Sequence, residues 1–208
     1  MSILVRKIRD HLWGDALILK SKSIISRLVM GHKYNTKADA ITKCLSTEDD
    51  KLSCWEIDGE NQIEQAILAL ITGGRQGSIS SMSIVLIPKE ELLKRGLYVL
   101  PSEDDADTAA ESLKSLHRNI ISLDYESLGR VQDVVIDCIK QKRKRRKTKS
   151  ELWEILRKGI VDRKVNVNQL SENLQDEIKN KYTDLRYFFE PDIEGSTTID
   201  ITIDKNAS

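Results

Sequence analysis

The sequence predicts an α+β fold that is predominantly helical, with a small mixed sheet in the middle of the chain. Helical spacing of apolar residues dominates most of its length. Two short runs, 83–87 and 97–100, are instead aliphatic or β-branched, and each is ended by a proline. The 208 residues are 39% hydrophobic and 32% charged, a composition that can bury a core and argues against disorder throughout.

Residues 1–50 read as a basic helical segment. Ile3, Leu4, Ile8, His11 and Leu12 share one helical side, with Arg6, Lys7, Arg9 and Asp10 largely on the other. Asp15 is placed to cap a second helix running to about Met30, with Leu17, Ile18, Ile24, Ile25, Leu28 and Val29 as its apolar side and Gly31 as its stop. Asn35 or Thr36 suits the start of a third, short helix.

Residues 51–139 read as an acidic α+β core. LSCWEID predicts a strand that turns at Asp58 and Gly59, and NQIEQAILALITGG predicts a helix stopped by Gly73 and Gly74. The following GGRQGSISS is a connector: it follows a helix and precedes a strand, whereas a phosphate-binding loop follows a strand and opens a helix with GK[ST]. Pro88 suits the first position of a short helix to Arg95, with Gly96 as its stop. Ser102, with Glu103, Asp104 and Asp105 behind it, predicts the start of a helix carrying Leu113, Leu116 and Ile120. A further helix runs from Arg130 to about Lys140 through Val131, Val134, Val135 and Cys138.

Residues 140–149 form a basic tract or linker, KQKRKRRKTK, in which eight of ten side chains are cationic and none is acidic. The expectation is either a helical arm through Lys147 or an exposed linear peptide. Residues 150–208 read as a C-terminal helical segment with a tail strand. Ser150 suits the cap of a helix packing Leu152, Trp153, Ile155, Leu156 and Ile160, and Leu170, Leu174 and Ile178 mark its hairpin partner. In the tail, Thr197, Ile199, Ile201 and Ile203 alternate with polar residues, as an edge strand or a peptide that adds to a partner's sheet does.

The net charge is zero, yet the charges are segregated. Basic against acidic residues number nine to three over 1–45, eight to eighteen over 46–139, eight to none over 140–149, and eight to twelve over 150–208. Phosphate attraction is local on the scale of a Debye length, about 8 Å in physiological salt, so the tract is not cancelled by distant carboxylates. Cys44, Cys54 and Cys138 include no CxxC pair, and His11, His32 and His117 are scattered, which supplies no zinc or disulfide framework. No apolar stretch approaches the length of a membrane helix.

Catalytic signatures are absent from the sequence: there is no HExxH and no nucleophile elbow. The nearest set for a metal-dependent nuclease joins Glu56 or Asp58 with Glu64 and Lys89, and its spacing selects it above no other set of carboxylates. Glu103, Asp104, Asp105 and Asp107 lack the glycine turn and final carboxylate of an EF-hand loop. The expectation is a non-enzymatic protein with no cofactor or metal, binding RNA or DNA in a sequence-tolerant way. Lys142, Arg143, Lys144, Arg145, Arg146 and Lys147 are its candidate phosphate-binding residues, assisted by Arg6, Lys7 and Arg9. KRKRRK also has the composition of a nuclear localisation signal, so the expected location is intracellular: the nucleus for a eukaryotic protein or a viral one in a eukaryotic host, and otherwise the cytoplasm. The competing expectation is a subunit of a multiprotein assembly or a small viral accessory protein. A protein partner or self-association then engages the acidic middle and the apolar C-terminal elements.

Overall fold

The computed structural model of the chain describes residues 16–21, 50–73 and 77–189, which together form a mixed α and β fold. Six strands share one sheet: β1 (Ala16–Ser21), β2 (Leu52–Ile57), β3 (Met82–Pro88), β4 (Tyr98–Pro101), β5 (His117–Ile121) and β6 (Lys144–Lys147). Their order is β4-β5-β2-β1-β3-β6, and every neighbouring pair is antiparallel. The expected small mixed sheet is thus corrected to a broader, antiparallel one. Five α-helices accompany it: α1 (Ile63–Ile71), α2 (Lys89–Leu93), α3 (Tyr125–Lys140), α4 (Lys149–Val161) and α5 (Glu172–Lys181).

Strand side chains alternate between the two faces of a sheet, and β2 and β3 divide their apolar residues accordingly. Trp55, Ile57, Ile84 and Leu86 join buried residues of α1, α4 and α5 on one face. Cys54, Val85 and Ile87 join Leu92 of α2 and Val131, Val134, Val135 and Cys138 of α3 on the other. Helices therefore cover both faces, and the first cluster takes residues from both sides of the basic tract.

Three expectations about local structure are corrected. The helix proposed from Asp15 is, over Ala16–Ser21, a strand held between β2 and β3. Its short apolar run is ambiguous by periodicity, and pairing on both edges decides it. The helix proposed from Ser102 is replaced by an irregular turn, a 3₁₀ segment (Glu111–Leu116) and β5. There the Ser102 hydroxyl bonds to the Asp105 carboxylate 2.6 Å away instead of capping, and Ile120 packs on the α3 face of the sheet. The basic tract is neither helical arm nor free linker over Lys144–Lys147, which pair with β3. The other helices proposed before residue 50 and the tail strand after residue 189 lie outside the described residues.

Helix ends follow capping chemistry. Asp124 accepts from the Ser127 amide at 2.7 Å, so α3 begins at Tyr125 rather than Arg130. Thr148, not Ser150, caps α4, and it closes a capping box with Glu151. At the crossing of α1 and α4, a Cβ on Gly159 would lie 2.7 Å from Leu68, so the helices approach where a side chain is missing.

The end of α4 is a Schellman motif, with Lys164 N–H bonded to Gly159 O and Arg163 N–H to Ile160 O, both at 2.9 Å. Its left-handed position is held by Arg163 at φ 55°, where glycine would be unstrained. Arg163→Gly is therefore expected to raise the unfolding free energy by about 1 kcal/mol. Urea unfolding of the two proteins measures this, and an unchanged or lowered midpoint would contradict it.

Candidate nucleic-acid interface

The basic tract occupies the last position of the sheet, and three local devices put it there. The first is the end of α3. Arg143 N–H bonds to Cys138 O and Lys142 N–H to Ile139 O, both at 2.9 Å, with Lys142 in the left-handed region at φ 60°. This second Schellman motif turns the chain through a lysine, whose charge suits the negative end of a helix.

The second device is Arg143. A Schellman motif usually packs an apolar residue here, against the third residue from the helix end. Arg143 takes that place: it is only 6% exposed, and its Nη1 points at Cys138 Sγ 3.8 Å away. Its Nε is buried without a partner among the described residues. Arg143 is thereby separated from the other cations of the tract, a correction to its proposed phosphate role. Burial also pushes the Cys138 thiol above its ordinary pKa, against the opposing effect of the Arg143 charge.

The third device is pairing with β3. Leu86 N–H bonds to Arg143 O at 3.1 Å, and the register continues as Val85↔Lys144, Ile84↔Arg145, Ser83↔Arg146 and Met82↔Lys147. Lys144 and Arg146 thus share the face of Val85 and α3, whereas Arg145 and Lys147 share the face of Ile84 and α4. Nothing in the propensities of KRRK favours a strand. Its backbone completes one edge of β3, and the aliphatic stems of the half-buried Lys144, Arg145 and Lys147 can lie along the sheet with their charges in solvent.

The strand then enters α4 at once. Lys147 Nζ lies 3.2 Å from Glu151 Oε1, and Lys149 Nζ lies 3.3 Å from Glu177 Oε1. Hydrogen bonds from the Thr148 amide and hydroxyl, with Lys147 beside them, hold the Glu151 carboxyl down at about 2. By contrast, Lys140, Lys142, Lys144, Arg145 and Arg146 form no ion pair with a carboxylate among the described residues. Arg145 Nη1 donates instead to the carbonyls of Lys142 and Lys144, at 3.1 and 3.4 Å. The result is a cationic strip with its outer backbone edge unpaired among the described residues. Arg6, Lys7 and Arg9 lie outside the described residues.

Of the carboxylates weighed for catalysis, only part comes together. Glu56 bonds Lys89 at 2.8 Å and also bonds Arg118, a partner 62 positions away that no sequence spacing could reveal. Burial opposes its ionisation, but Lys89 and Arg118 outweigh burial, and the carboxyl titrates below its usual range. Among the described residues no three His, Cys, Asp or Glu side chains gather where they could hold a metal ion. In the acidic turn, Asp105 accepts from Asn119 Nδ2 at 2.8 Å and lies 3.5 Å from Lys51. His117 is buried edge-on against Trp55, with Nδ1 2.6 Å from Ser102 O.

No helix among the described residues is long and apolar enough to cross a membrane. No family model matches the chain, and no curated protein or solved structure matches it significantly.

Proposed function

We propose that the chain is a binding protein, not a catalyst, that holds nucleic acid along β6 by phosphate contacts. The observation that carries this reading is a set of five cations with no carboxylate partner among the described residues: Lys140 at the end of α3, Lys142 in the turn, and Lys144, Arg145 and Arg146 on β6, whose outer edge is unpaired among those residues. Same-face side chains on a strand recur about every 6.6 Å. That pitch suits the successive phosphates of an extended single strand better than the paired rows of a duplex. Exposed backbone N–H groups on the outer edge can add phosphate contacts without sequence preference.

The exposed aromatic residues Tyr98, Tyr125 and Tyr187 are on other elements, so no stacking platform flanks β6 among the described residues. Binding is accordingly sequence-tolerant and strongly salt-dependent. With five single-strand phosphate contacts the logarithmic salt slope is about −3.5, which is about a hundredfold weakening between 50 and 200 mM salt.

The test is a titration of the intact chain with short single- and double-stranded RNA and DNA at those two salts. A variant carrying Lys142→Ser, Lys144→Ser, Arg145→Gln and Arg146→Gln is compared, with the buried Arg143 kept. Binding by the intact chain that is lost in the variant supports the reading. No binding at the lower salt, or equal binding by the variant, refutes it.

Nuclear import is a weaker fit to the same residues. A receptor that reads an extended peptide within its groove would have to detach β6 from β3. The interaction-subunit reading has one observation in its favour, at the opposite edge of the sheet. On β4, Tyr98 and Leu100 project to one side and are 64% and 49% exposed. A partner held there would bind with little salt dependence.

A further inference from the structure

We propose that the paired rings of Tyr187 and Phe188 are a stacking platform for unpaired bases of the nucleic acid whose phosphates lie along β6. This deepens the function proposed above and rests on it.

The platform is built from the core outward. The 3₁₀ segment Thr183–Phe189 buries Leu185 and packs the half-buried Phe188 and Phe189 against the larger hydrophobic cluster. Tyr187 sets its ring centroid 4.1 Å from that of Phe188, with the planes 30° apart, and is 60% exposed. A ring pair whose inner member is fixed and whose outer member is in solvent can take a further flat ring. Tyr98 and Tyr125 are as exposed, but neither is backed by a second ring among the described residues.

Three cations decide what lands there. Lys179 Nζ lies 5.0 Å from the Phe189 ring centroid, and Lys181 Nζ lies 5.5 Å from that of Tyr182. Arg186, next to Tyr187 in the chain, is exposed and donates through Nε to Lys179 O at 3.2 Å. None of the three forms an ion pair with a carboxylate among the described residues. Asp184 and Glu177 are taken up by Arg157 and Lys149, at 2.7 and 3.3 Å, and Glu154 accepts from the Tyr182 hydroxyl at 3.5 Å. An apolar protein surface seated here would strip water from unpaired cations. A nucleotide instead brings a flat base to the rings and a negative backbone that stays in solvent beside the charges.

The platform does not flank β6; it lies toward the other end of α4, within reach of one strand. Lys149 opens α4, and contacts in register, Lys149 with Glu177, Trp153 with Tyr182 and Arg157 with Asp184, lay α5 and the 3₁₀ segment along that helix. From Lys149 to Arg157 is about 12 Å of helix. From Asp184 to Tyr187 is no more than about 6 Å of 3₁₀ segment. At the pitch of about 6.6 Å matched on β6, about three nucleotides bridge the two sites. The bases of a duplex are already stacked on one another, so the platform adds a preference for unpaired strands and none for a sequence.

The experiment titrates the full-length chain, at the lower salt, with two single strands of about twelve nucleotides: oligothymidine, and a strand with the same phosphates and no bases. Four proteins are compared: the intact chain, Tyr187→Ala, Tyr187→Phe, and the variant of the β6 strip described above. The intact chain is expected to bind oligothymidine about tenfold more tightly than the base-free strand, the effect of one stacked base. Tyr187→Ala is expected to lose that tenfold, to bind the base-free strand as the intact chain does, and to keep the same salt slope. Tyr187→Phe is expected to behave as the intact chain.

Equal affinity of the intact chain for the two strands overturns the platform and leaves the phosphate reading standing. A base-dependent gain that survives Tyr187→Ala overturns it too, because the bases then stack elsewhere. So does an equal loss on both strands, which is a defect of folding, or a loss that Tyr187→Phe shares. If the strip variant binds oligothymidine as the intact chain does while Tyr187→Ala does not, the reading of β6 fails and the stacking stands. No binding of either strand by the intact chain refutes both.

Discussion

Trp153→Ala is expected to lower the unfolding free energy by about 4 kcal/mol. Trp153 is 2% exposed and is the largest fully buried side chain among the described residues. Its indole meets the Tyr182 ring edge-on with centroids 5.9 Å apart, and the Lys181 ammonium lies 5.7 Å from the indole centroid. Truncation removes the transfer free energy of the ring and leaves a cavity between α4, α5 and the sheet that rigid elements cannot fill. Urea unfolding followed by far-ultraviolet circular dichroism measures the effect. The midpoint should fall with little change in slope; a loss below about 1 kcal/mol would mean that the neighbouring side chains collapse into the space.

The second large effect is at Glu56. Its carboxylate is 15% exposed and joins Lys89 and Arg118, which are 28% and 17% exposed. Glu56→Ala leaves two cations facing each other in a partly desolvated site, at a cost of about 3 kcal/mol. The pH dependence follows from the direction of the shift. The folded carboxyl titrates below its ordinary 4.5, so its contribution is complete above that pH and is lost as pH falls through the lowered value. The stability gap between the native chain and Glu56→Ala should accordingly be widest near neutrality and narrow on acidification below 4.5. Urea midpoints across that range measure it, and a gap independent of pH would contradict the pairing.

Where local pattern and tertiary partner agree, the sequence was legible. The spacing of Ile63, Ala66, Ile67, Leu70 and Ile71 located α1, and Val131, Val134, Val135 and Cys138 located α3. The aliphatic runs before Pro88 and Pro101 located β3 and β4 to within a residue at each end. Illegible elements were those that a distant neighbour decides. Ala16–Ser21 is a strand because β2 and β3 flank it, and KRRK is a strand because β3 has an edge to offer. Capping-type residues at Ser102 and Asp105 serve a turn that bonds to Asn119, not a helix start. The cationic site was visible in composition, because eight like charges in ten residues are visible in any conformation. The inward turn of Arg143 was not, since it depends on the geometry at the end of α3.

The two rims of the sheet also differ in a way that governs how copies of the chain meet. A sheet with two open rims can grow without limit when one copy's first strand docks on the next copy's last, the head-to-tail contact that builds fibres. Here β4 offers Tyr98 and Leu100 and no charge, whereas β6 offers four cations. Joining the two would strip water from those cations with no anion to receive them, and joining two β6 rims would oppose like charges. The four cations of β6 therefore disfavour both contacts, so neutralising the strip is expected to make the molecule a better monomer for a filament.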